Sequence, residues 1–330
     1  MDGTAETVMS VKDGVLKELE MSRGEYVSGE KLAATLGVSR NAVSKAIKAL
    51  NAQGFGIVAI KNRGYMLQKT ANKLTKQGIE KYLPDGFFNV IVLESTTSTN
   101  TVAKQMATEG AKEGIVIVAN EQSNGRGRMG RKFFAPADCG AYFSVILRPQ
   151  RNVDVNQTVL LTVVAGLAVA KAVESVGGKE AKIKWVNDVF VDGKKCAGIL
   201  SEAISDMESG LIESVVVGIG INITEPKGGF DKEIADIASW VCDVDVPDAR
   251  NRVIASVLKN IQECYLHFDK DKIAKEYRDK SFLIGKEIVV VKGDERNAVV
   301  EDIDGDCRLC VRYGNGEREC ISTGEVKIKW

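Results

Sequence analysis

A short stretch of the sequence, Gly125–Arg131, reads Gly-Arg-Gly-Arg-Met-Gly-Arg. Glycine leaves the backbone free to wrap closely around a ligand, and guanidinium groups are bidentate donors suited to phosphate or carboxylate. Phe133 and Phe134 follow and could stack on an adenine ring. We interpret this stretch, called the arginine loop below, as a flap over an anionic ligand. A flexible basic linker or a nucleic-acid-binding segment is the alternative, but those lie in low-complexity sequence, whereas this stretch lies between two apolar runs.

Two further motifs contain groups that could meet the same ligand. Lys184–Asp188 reads Lys-Trp-Val-Asn-Asp, and Lys195 follows across a predicted hairpin. Because side chains alternate along a strand, Lys195, Asn187 and Asp188 can converge on a phosphate and its Mg²⁺ ion. The third motif, Gly218–Asn222, has glycine at alternate positions, which lets a ligand press against bare backbone. Each of these two motifs is weak alone, since chance often supplies a polar turn at a strand end, but together with the arginine loop they predict an ATP site.

The first part of the chain, residues 8–67, has the pattern of three short helices and a hairpin. Ser39 can cap the third helix after the turn residue Gly37, and apolar residues three and four apart give this helix a buried stripe. Its other side and the hairpin tip have polar and basic residues, which suit phosphates and base edges. The residues predicted to contact DNA are Ser39, Arg40, Asn41, Ser44, Lys45, Lys48 and Arg63.

A solvated basic face on a small helical bundle is the simpler explanation of such a charge run. Here, however, the turn, the helix cap and the wing coincide. We therefore favour a winged helix-turn-helix that binds DNA.

The remaining sequence divides into a larger and a smaller region. After a polar, partly helical connection, β-branched runs alternate with helical stretches, which indicates a mixed α/β core. From Gly285 onward, short strand-like runs separated by turns predict a small β-barrel. We thus expect an α+β multidomain protein. The predicted units are a winged helix-turn-helix domain at residues 1–68, a linker at 69–83, a catalytic domain at 84–282 and a barrel at 283–330.

Composition limits where the protein works and what it binds. Lys plus Arg and Asp plus Glu number 45 each, so any nucleic-acid contact must come from local clusters of charge. The first residues lack a secretory signal pattern. The apolar run from Thr158 to Ala170 is too short to span a bilayer, which predicts a buried helix and no membrane partner. Seven scattered cysteines fit reduced thiols, so we expect a cytoplasmic protein without disulfides.

Neither a cysteine cluster nor the histidine is expected to do chemistry. Cys307, Cys310 and Cys320 lack a fourth ligand at zinc-site spacing, which disfavours a metal site there. The single histidine, His267, lies far from the motifs and is predicted to be structural.

Together the three motifs resemble those of biotin protein ligases, and the layout of the chain resembles the bifunctional repressor members of that family. The arginine loop matches the family pattern Gly-Arg-Gly-Arg-x-Gly-Arg at every specified position. The resemblance implies a ligase core similar to class II synthetases and an SH3-like barrel. It implies that biotin is bound by Ser98, Thr99, Asn100, Gln122, Gly125, Arg126, Gly127, Arg128, Lys195, Gly218 and Gly220. It implies that ATP is bound by Arg128, Arg131, Phe133, Asn187, Lys195 and Asn222.

The resemblance also implies a reaction and partners. Biotin and ATP would form biotinyl-5′-AMP with Mg²⁺, and biotin would pass to a lysine of biotin carboxyl carrier protein, from acetyl-CoA carboxylase or a related enzyme. Lys195, Arg128, Asn187 and Asp188 would be the catalytic residues, with Asp188 the candidate Mg²⁺ ligand. Adenylate-bound monomers would form a homodimer and bind operator DNA as a biotin-responsive repressor. We expect the dimer contact at an exposed strand edge near Leu200–Ile204.

Three positions depart from the family pattern, and two other functions stay open. Val186 stands where the family usually has proline, Phe133 where the repressors have tryptophan, and Lys329 where arginine is common. A smaller ring at position 133 should alter adenine stacking without removing a polar group. The alternatives are a ligand-sensing repressor that has lost ligation, and a lipoate-type protein ligase.

Overall fold

The computed structural model describes residues 9–84, 86–149, 155–205, 211–243 and 246–328, so that Lys329 lies outside the described residues. The helices are α1 (Val11–Met21), α2 (Gly29–Leu36), α3 (Arg40–Ala52), α4 (Lys76–Glu80), α5 (Thr99–Thr108), α6 (Val155–Gly177), α7 (Ala249–Leu266) and α8 (Lys270–Lys280). The strands are β1 (Ile57–Ile60), β2 (Gly64–Leu67), β3 (Asn89–Thr96), β4 (Ile115–Gln122), β5 (Gly140–Leu147), β6 (Lys182–Lys184), β7 (Asp188–Val191), β8 (Lys194–Ser205), β9 (Ile212–Asn222), β10 (Glu287–Lys292), β11 (Asp294–Ile303), β12 (Leu309–Tyr313), β13 (Arg318–Ile321) and β14 (Glu325–Ile328).

The N-terminal helices α1 to α3 and the hairpin β1–β2 form the predicted winged helix. The Ser39 hydroxyl accepts a hydrogen bond from the backbone N–H of Ala42 at 3.1 Å, which caps α3. Gly37 ends α2 with a φ of 63°, the left-handed conformation that favours glycine. The apolar stripe of α3 packs into the small core of this unit. The expectation of a helix-turn-helix followed by a wing is confirmed.

The central region is built on one twisted sheet. Among the described residues its strands follow the order β3-β4-β5-β9-β8-β7-β6, and β3 and β4 are the parallel pair. Helices α6 and α7 contribute to the main core on one face, and α5 packs on the other face in a separate apolar cluster. The predicted mixed α/β core is confirmed.

Helix α6 is the long apolar helix that the sequence predicted. Its segment Thr158–Gly177 is long and apolar enough to cross a membrane by length and composition alone. However, 61% of the most apolar 18 residues in this segment are buried inside the protein. The buried face lies against β8 and against α7. Its apolar character is thus used in the core.

The C-terminal strands form a small antiparallel sheet in the order β13-β12-β11-β10-β14. This sheet shares one continuous apolar core with the central region. The indole N–H of Trp185 donates to the backbone oxygen of Cys307 at 3.0 Å, which ties the two units together. Strand β13 was not predicted, because Arg318–Ile321 has little apolar character of its own.

The prediction of a chain without disulfides is wrong, because Cys310 and Cys320 form one. The two residues are direct partners across the antiparallel pair β12–β13, so the register brings their sulfurs together. Asp304 has a carboxylate near both sulfurs, but the bonded sulfurs are not thiolate ligands. Cys307, Cys139, Cys196, Cys242 and Cys264 are free.

A buried charge cluster joins the winged helix to the central region. Glu20 and Arg23 at the end of α1 meet Lys81 and Asp248, and the four side chains are between 1% and 9% exposed. Lys81 Nζ lies 2.8 Å from carboxylate oxygens of both Glu20 and Asp248. Each charge has opposite partners, which offsets the cost of removing it from water. The cluster therefore fixes how α1 sits against the start of α7.

Asp248→Asn is expected to destabilise the protein by about 3 kcal/mol, because it leaves buried cations with one carboxylate fewer. The matched control is Asp279→Asn, which breaks the exposed pair between Lys275 and Asp279, at 77% and 59% exposure. That change should cost less than about 1 kcal/mol. Urea unfolding of both variants measures the difference, and equal midpoints would contradict a stabilising role for the cluster.

Candidate active site

The arginine loop connects β4 to β5 and covers one side of a cleft in the central sheet. The cleft has about 940 Å³ of empty space, part of which is open to solvent. Glu325 and Val326 of the C-terminal sheet line its far end. The predicted residues that line it are Ser98, Thr99, Asn100, Gln122, Arg126, Gly127, Arg128, Arg131, Phe133, Asn187, Asp188, Lys195, Gly218 and Gly220.

Two predicted site residues lie beside the cleft without lining it. The Asn222 side chain donates to the backbone oxygen of Ser239 at 2.9 Å. Gly125 is buried, and its carbonyl accepts from the backbone N–H of Phe133 at 2.9 Å. Gly125 therefore closes the base of the arginine loop, and in this structure Asn222 holds the segment that follows β9.

The turn before β7 and the hairpin β7–β8 bring the predicted polar groups of this motif together. Lys195 Nζ lies 2.7 Å from Asp188 Oδ1, and the Asn187 amide donates to the same oxygen at 3.1 Å. Lys184 lines the cleft beside them, and burial lowers the pKa of its ammonium group. The cleft thus contains cations that are partly balanced by carboxylates of the protein itself.

Arg128 and Arg131 fasten the arginine loop across the cleft. Arg128 donates to Asn187 Oδ1 at 3.0 Å and to the backbone oxygen of Gly324 at 2.9 Å. Arg131 forms an ion pair with Glu325, and its hydrogen bond lowers the pKa of that carboxyl group. Sequence reasoning missed Gly324 and Glu325, which lie 196 and 194 residues from their loop partners along the chain. Their isolated positions gave no motif to detect.

The opposite end of the cleft has uncharged polar groups at the start of α5. The backbone N–H of Thr99 donates to Gln122 Oε1 at 2.8 Å, which leaves the Gln122 amide nitrogen available to a ligand carbonyl. Ser144 was not predicted, yet its buried hydroxyl lies 2.7 Å from the Thr99 hydroxyl and 2.6 Å from Asn100 Oδ1. Ser98 precedes α5, and its hydroxyl makes no capping hydrogen bond to the helix.

The two glycines of β9 make room for side chains of the protein. A Cβ at Gly218 would lie 1.9 Å from Asn100 Oδ1, and one at Gly220 would lie 2.6 Å from the Phe133 ring. Phe133 also stands edge-on to Tyr142, with ring centroids 6.2 Å apart. A side chain at either glycine would therefore displace a group that lines the cleft.

The position that departs from the family proline lies just below the cleft. The peptide between Trp185 and Val186 is cis. The Val186 carbonyl accepts from the Tyr277 hydroxyl at 3.0 Å, and both residues are buried.

The recognition surface of the winged helix lies apart from the cleft. Of the residues predicted to contact DNA, Ser44 is half-buried and the others are exposed. The Ser39 hydroxyl is engaged in capping α3. The Arg63 guanidinium in the wing lies 4.5 Å from the centre of the Tyr26 ring, which steadies its position near the hairpin tip.

Strand β8 has an open edge where the sequence analysis expected one. Strand β7 pairs with β8 only as far as Gly198, and no described strand pairs with Leu200–Ile204 on that side. The single histidine, His267, is exposed at the end of α7, outside the residues that line the cleft.

Comparison with known proteins assigns each part of the chain to a described family. Residues 92–222 match the biotin/lipoate A/B protein ligase family. Residues 13–66 match a helix-turn-helix domain, and residues 283–328 match the biotin protein ligase C-terminal domain.

Individual relatives agree with these matches. The chain is 32% identical to the bifunctional ligase/repressor BirA of Bacillus spizizenii over 82% of this chain and 79% of that protein. It is 27% identical to BirA of Escherichia coli over 83% of this chain and 84% of that protein. Among solved structures, the biotin protein ligase from Aquifex aeolicus in complex with biotin and ATP superposes with a TM-score of 0.60 at 26% identity, covering 73% of this chain and 98% of that chain.

Proposed function

The chain belongs to the biotin protein ligase family, and on that premise we propose that it activates biotin with ATP and transfers the biotinyl group to a lysine of biotin carboxyl carrier protein. It is also a biotin-responsive transcriptional repressor that binds DNA through its winged helix. One observation carries the ligase assignment: Arg128, Asn187, Asp188 and Lys195 face a single cleft beneath the arginine loop. We infer a cytoplasmic location, since both the carrier protein and operator DNA are there.

The reaction joins two anions and then transfers the product. A carboxylate oxygen of biotin attacks the α-phosphorus of ATP, and the bond to pyrophosphate breaks. The amine of the acceptor lysine then attacks the carbonyl carbon of biotinyl-5′-AMP, and AMP leaves as the amine loses a proton. No residue of the enzyme becomes covalently attached, which fits a cleft that is lined by cations and amides.

The protein contributes positioning and charge neutralisation. Lys195 and Arg128 offset the negative charge of the carboxylate and the α-phosphate as these groups approach. In the described structure Asp188 and Glu325 hold Lys195 and Arg131, respectively. Substrate anions would replace these carboxylates as partners, so the cations are already in place when the ligands arrive.

A divalent cation is implied by the family, and Asp188 is its candidate ligand. The Asp188 side chain is 20% exposed and its oxygen faces the cleft beside Lys195, which fits Mg²⁺ held by one or two carboxylates together with phosphate oxygens. Bound there, Mg²⁺ would neutralise phosphate charge. Asn187 orients the carboxylate by its hydrogen bond to Asp188 Oδ1.

A pyrophosphate-release assay tests the substrate assignment. Release with ATP should depend on biotin and should be absent with lipoate or octanoate. Release with lipoate alone would favour a lipoate-type ligase, and biotin binding without any release would favour a sensor that has lost ligation.

DNA binding should depend on the exposed face of α3. Lys45→Ala is expected to weaken binding to operator DNA and to lower the slope of log affinity against log salt by about one per protomer, because one phosphate contact is lost. Lys17→Ala on α1 is the control, since Lys17 is equally an exposed lysine but lies outside the helix-turn-helix pair. Fluorescence anisotropy over a salt series, with DNA from upstream of biotin-synthesis genes, measures both slopes. Equal slopes for the two variants would place the DNA contact elsewhere.

We further propose that adenylate-bound protein dimerises through the open edge of β8 at Leu200–Ile204. An unpaired strand edge can pair with the same edge of a second copy about a two-fold axis. The carrier domain could use the same surface, so it should compete with the dimer. Sedimentation velocity should show dimers with biotinyl-5′-AMP and fewer dimers when carrier domain is added. A dimer fraction that carrier domain leaves unchanged would contradict a shared surface.

A further inference from the structure

Glu202 on β8 has no role in the reaction described above, and it is not among the residues that line the cleft. Its carboxylate nevertheless has three nitrogen partners. Asn100 Nδ2 and Lys104 Nζ each donate to it at 2.9 Å, and Arg126 Nη2 lies 3.5 Å away. The Glu202 side chain is only 18% exposed. Burial alone raises the pKa of Glu202, but hydrogen bonds from Lys104 and Asn100 leave it below its usual value, so the group is an anion at neutral pH.

The contact with Asn100 acts on the floor of the cleft, a name used here for the linked residues Thr99, Asn100, Gln122 and Ser144. Asn100 is buried, and its Oδ1 lies 2.6 Å from the Ser144 hydroxyl. Its amide nitrogen must therefore point the other way, where it donates to Glu202 and to the backbone oxygen of Leu200 at 3.2 Å. A buried amide held on both sides has one orientation.

The same hydrogen bonds continue to the far side of the floor. The Ser144 hydroxyl lies 2.7 Å from the Thr99 hydroxyl, and the Thr99 backbone N–H donates to Gln122 Oε1 at 2.8 Å. A connected series of polar groups thus runs from Glu202 to Gln122 beneath the cleft. Such buried networks hold their members in place when every polar group has a partner.

The contact with Arg126 acts on the opposite side of the cleft, in the arginine loop. Arg126 is 45% exposed and pairs with Lys132 in an isolated bridge that closes the loop on itself. An exposed ion pair alone would contribute little. Here, however, the anion is mostly buried and is fixed by Asn100, so the guanidinium is drawn towards a stationary partner.

We propose that Glu202 is a positioning residue for biotin, because it holds the floor of the cleft through Asn100 and the arginine loop through Arg126. The proposal rests on the function proposed above, and in it Glu202 links the floor of the cleft to the arginine loop. Biotin binding needs the floor in one arrangement, and retention of the adenylate needs the loop closed.

Glu202→Gln tests both contacts in the full-length protein. The variant keeps the size of the side chain and one acceptor oxygen, but it loses the charge that holds Arg126 and presents an amide to Asn100. The dissociation constant for biotin in calorimetry, and KM for biotin, should each rise about tenfold, as expected for losing hydrogen bonds to a charged group. The rate constant kcat should change less than threefold, a split that general destabilisation would not produce.

Lys104→Met is the matched control, since it removes the third partner of Glu202 without touching floor or loop, and it should leave the biotin affinity within about twofold. A double-mutant cycle with Arg126→Gln tests the loop contact. The two changes should be non-additive in the rate at which biotinyl-5′-AMP escapes.

Wild-type biotin affinity in Glu202→Gln would overturn the proposal. The proposal would also be overturned if kcat, biotin affinity and melting temperature all fell together in this variant, because that is the result expected of a merely structural role. Calorimetry with biotin alone separates the proposal from the function on which it rests. If wild type binds biotin but makes no adenylate, the ligase assignment fails while the role of Glu202 in binding is still measured.

Discussion

Lys195→Ala should abolish formation of biotinyl-5′-AMP while the protein stays folded. Lys195 places an ammonium group in the cleft, 2.7 Å from Asp188, where it can bridge the biotin carboxylate and the α-phosphate. Without that charge the two anions repel each other as the bond forms. We expect the single-turnover rate of adenylate formation to fall at least about a hundredfold, as for other losses of a preorganised charge partner.

The fold should survive because the Lys195 side chain is 35% exposed and fills no part of the core. Lys194→Ala is the control: Lys194 is the exposed neighbour on the same strand and does not line the cleft. Rapid quench with labelled ATP measures the adenylate directly. If Lys195→Ala still produced a full burst of biotinyl-5′-AMP, the charge-bridging role would be refuted.

Arg128→Gly should differ from Lys195→Ala: adenylate formation slows because one of the two cations is lost, but adenylate still forms, and what forms escapes from the cleft. Arg128 ties the arginine loop to Asn187 and to the backbone of Gly324, so glycine at this position releases the loop from both sides of the cleft. A flap that opens freely exposes the reactive anhydride to solvent. Proteins that are not natural acceptors should then be biotinylated on lysine, several times above the wild-type background.

Blotting for biotin on an added bystander protein measures this leakage. Asn124→Gly is the control, since it adds a glycine next to the same loop but removes an exposed side chain that does not line the cleft. Equal bystander labelling by wild type and Arg128→Gly would show that these contacts do not retain the adenylate.

The parts of this protein that could be predicted from sequence are those set by local chemistry. Ser39 caps α3 and Gly37 ends α2 through contacts with residues a few positions away. The arginine loop was recognisable because its glycines and arginines are consecutive. Asn187 and Asp188 are adjacent in the sequence, and the short hairpin from β7 to β8 brings Lys195 back to them.

What could not be predicted depends on contacts between distant parts of the chain. Glu325 reaches Arg131 only because the C-terminal sheet packs against the central region, and Glu202 meets Asn100 only through the packing of α5 on the central sheet. The disulfide between Cys310 and Cys320 depends on the register of two strands, one of which was not predicted. No spacing rule within the sequence encodes such contacts.

The most direct test of the central claim is the mass of a biotin carrier domain after incubation with the purified protein, biotin, ATP and Mg²⁺. We predict a gain of one biotinyl group on a single lysine, dependent on both biotin and ATP. A carrier domain of unchanged mass, under conditions in which an established biotin protein ligase modifies it fully, would show that the protein does not ligate biotin.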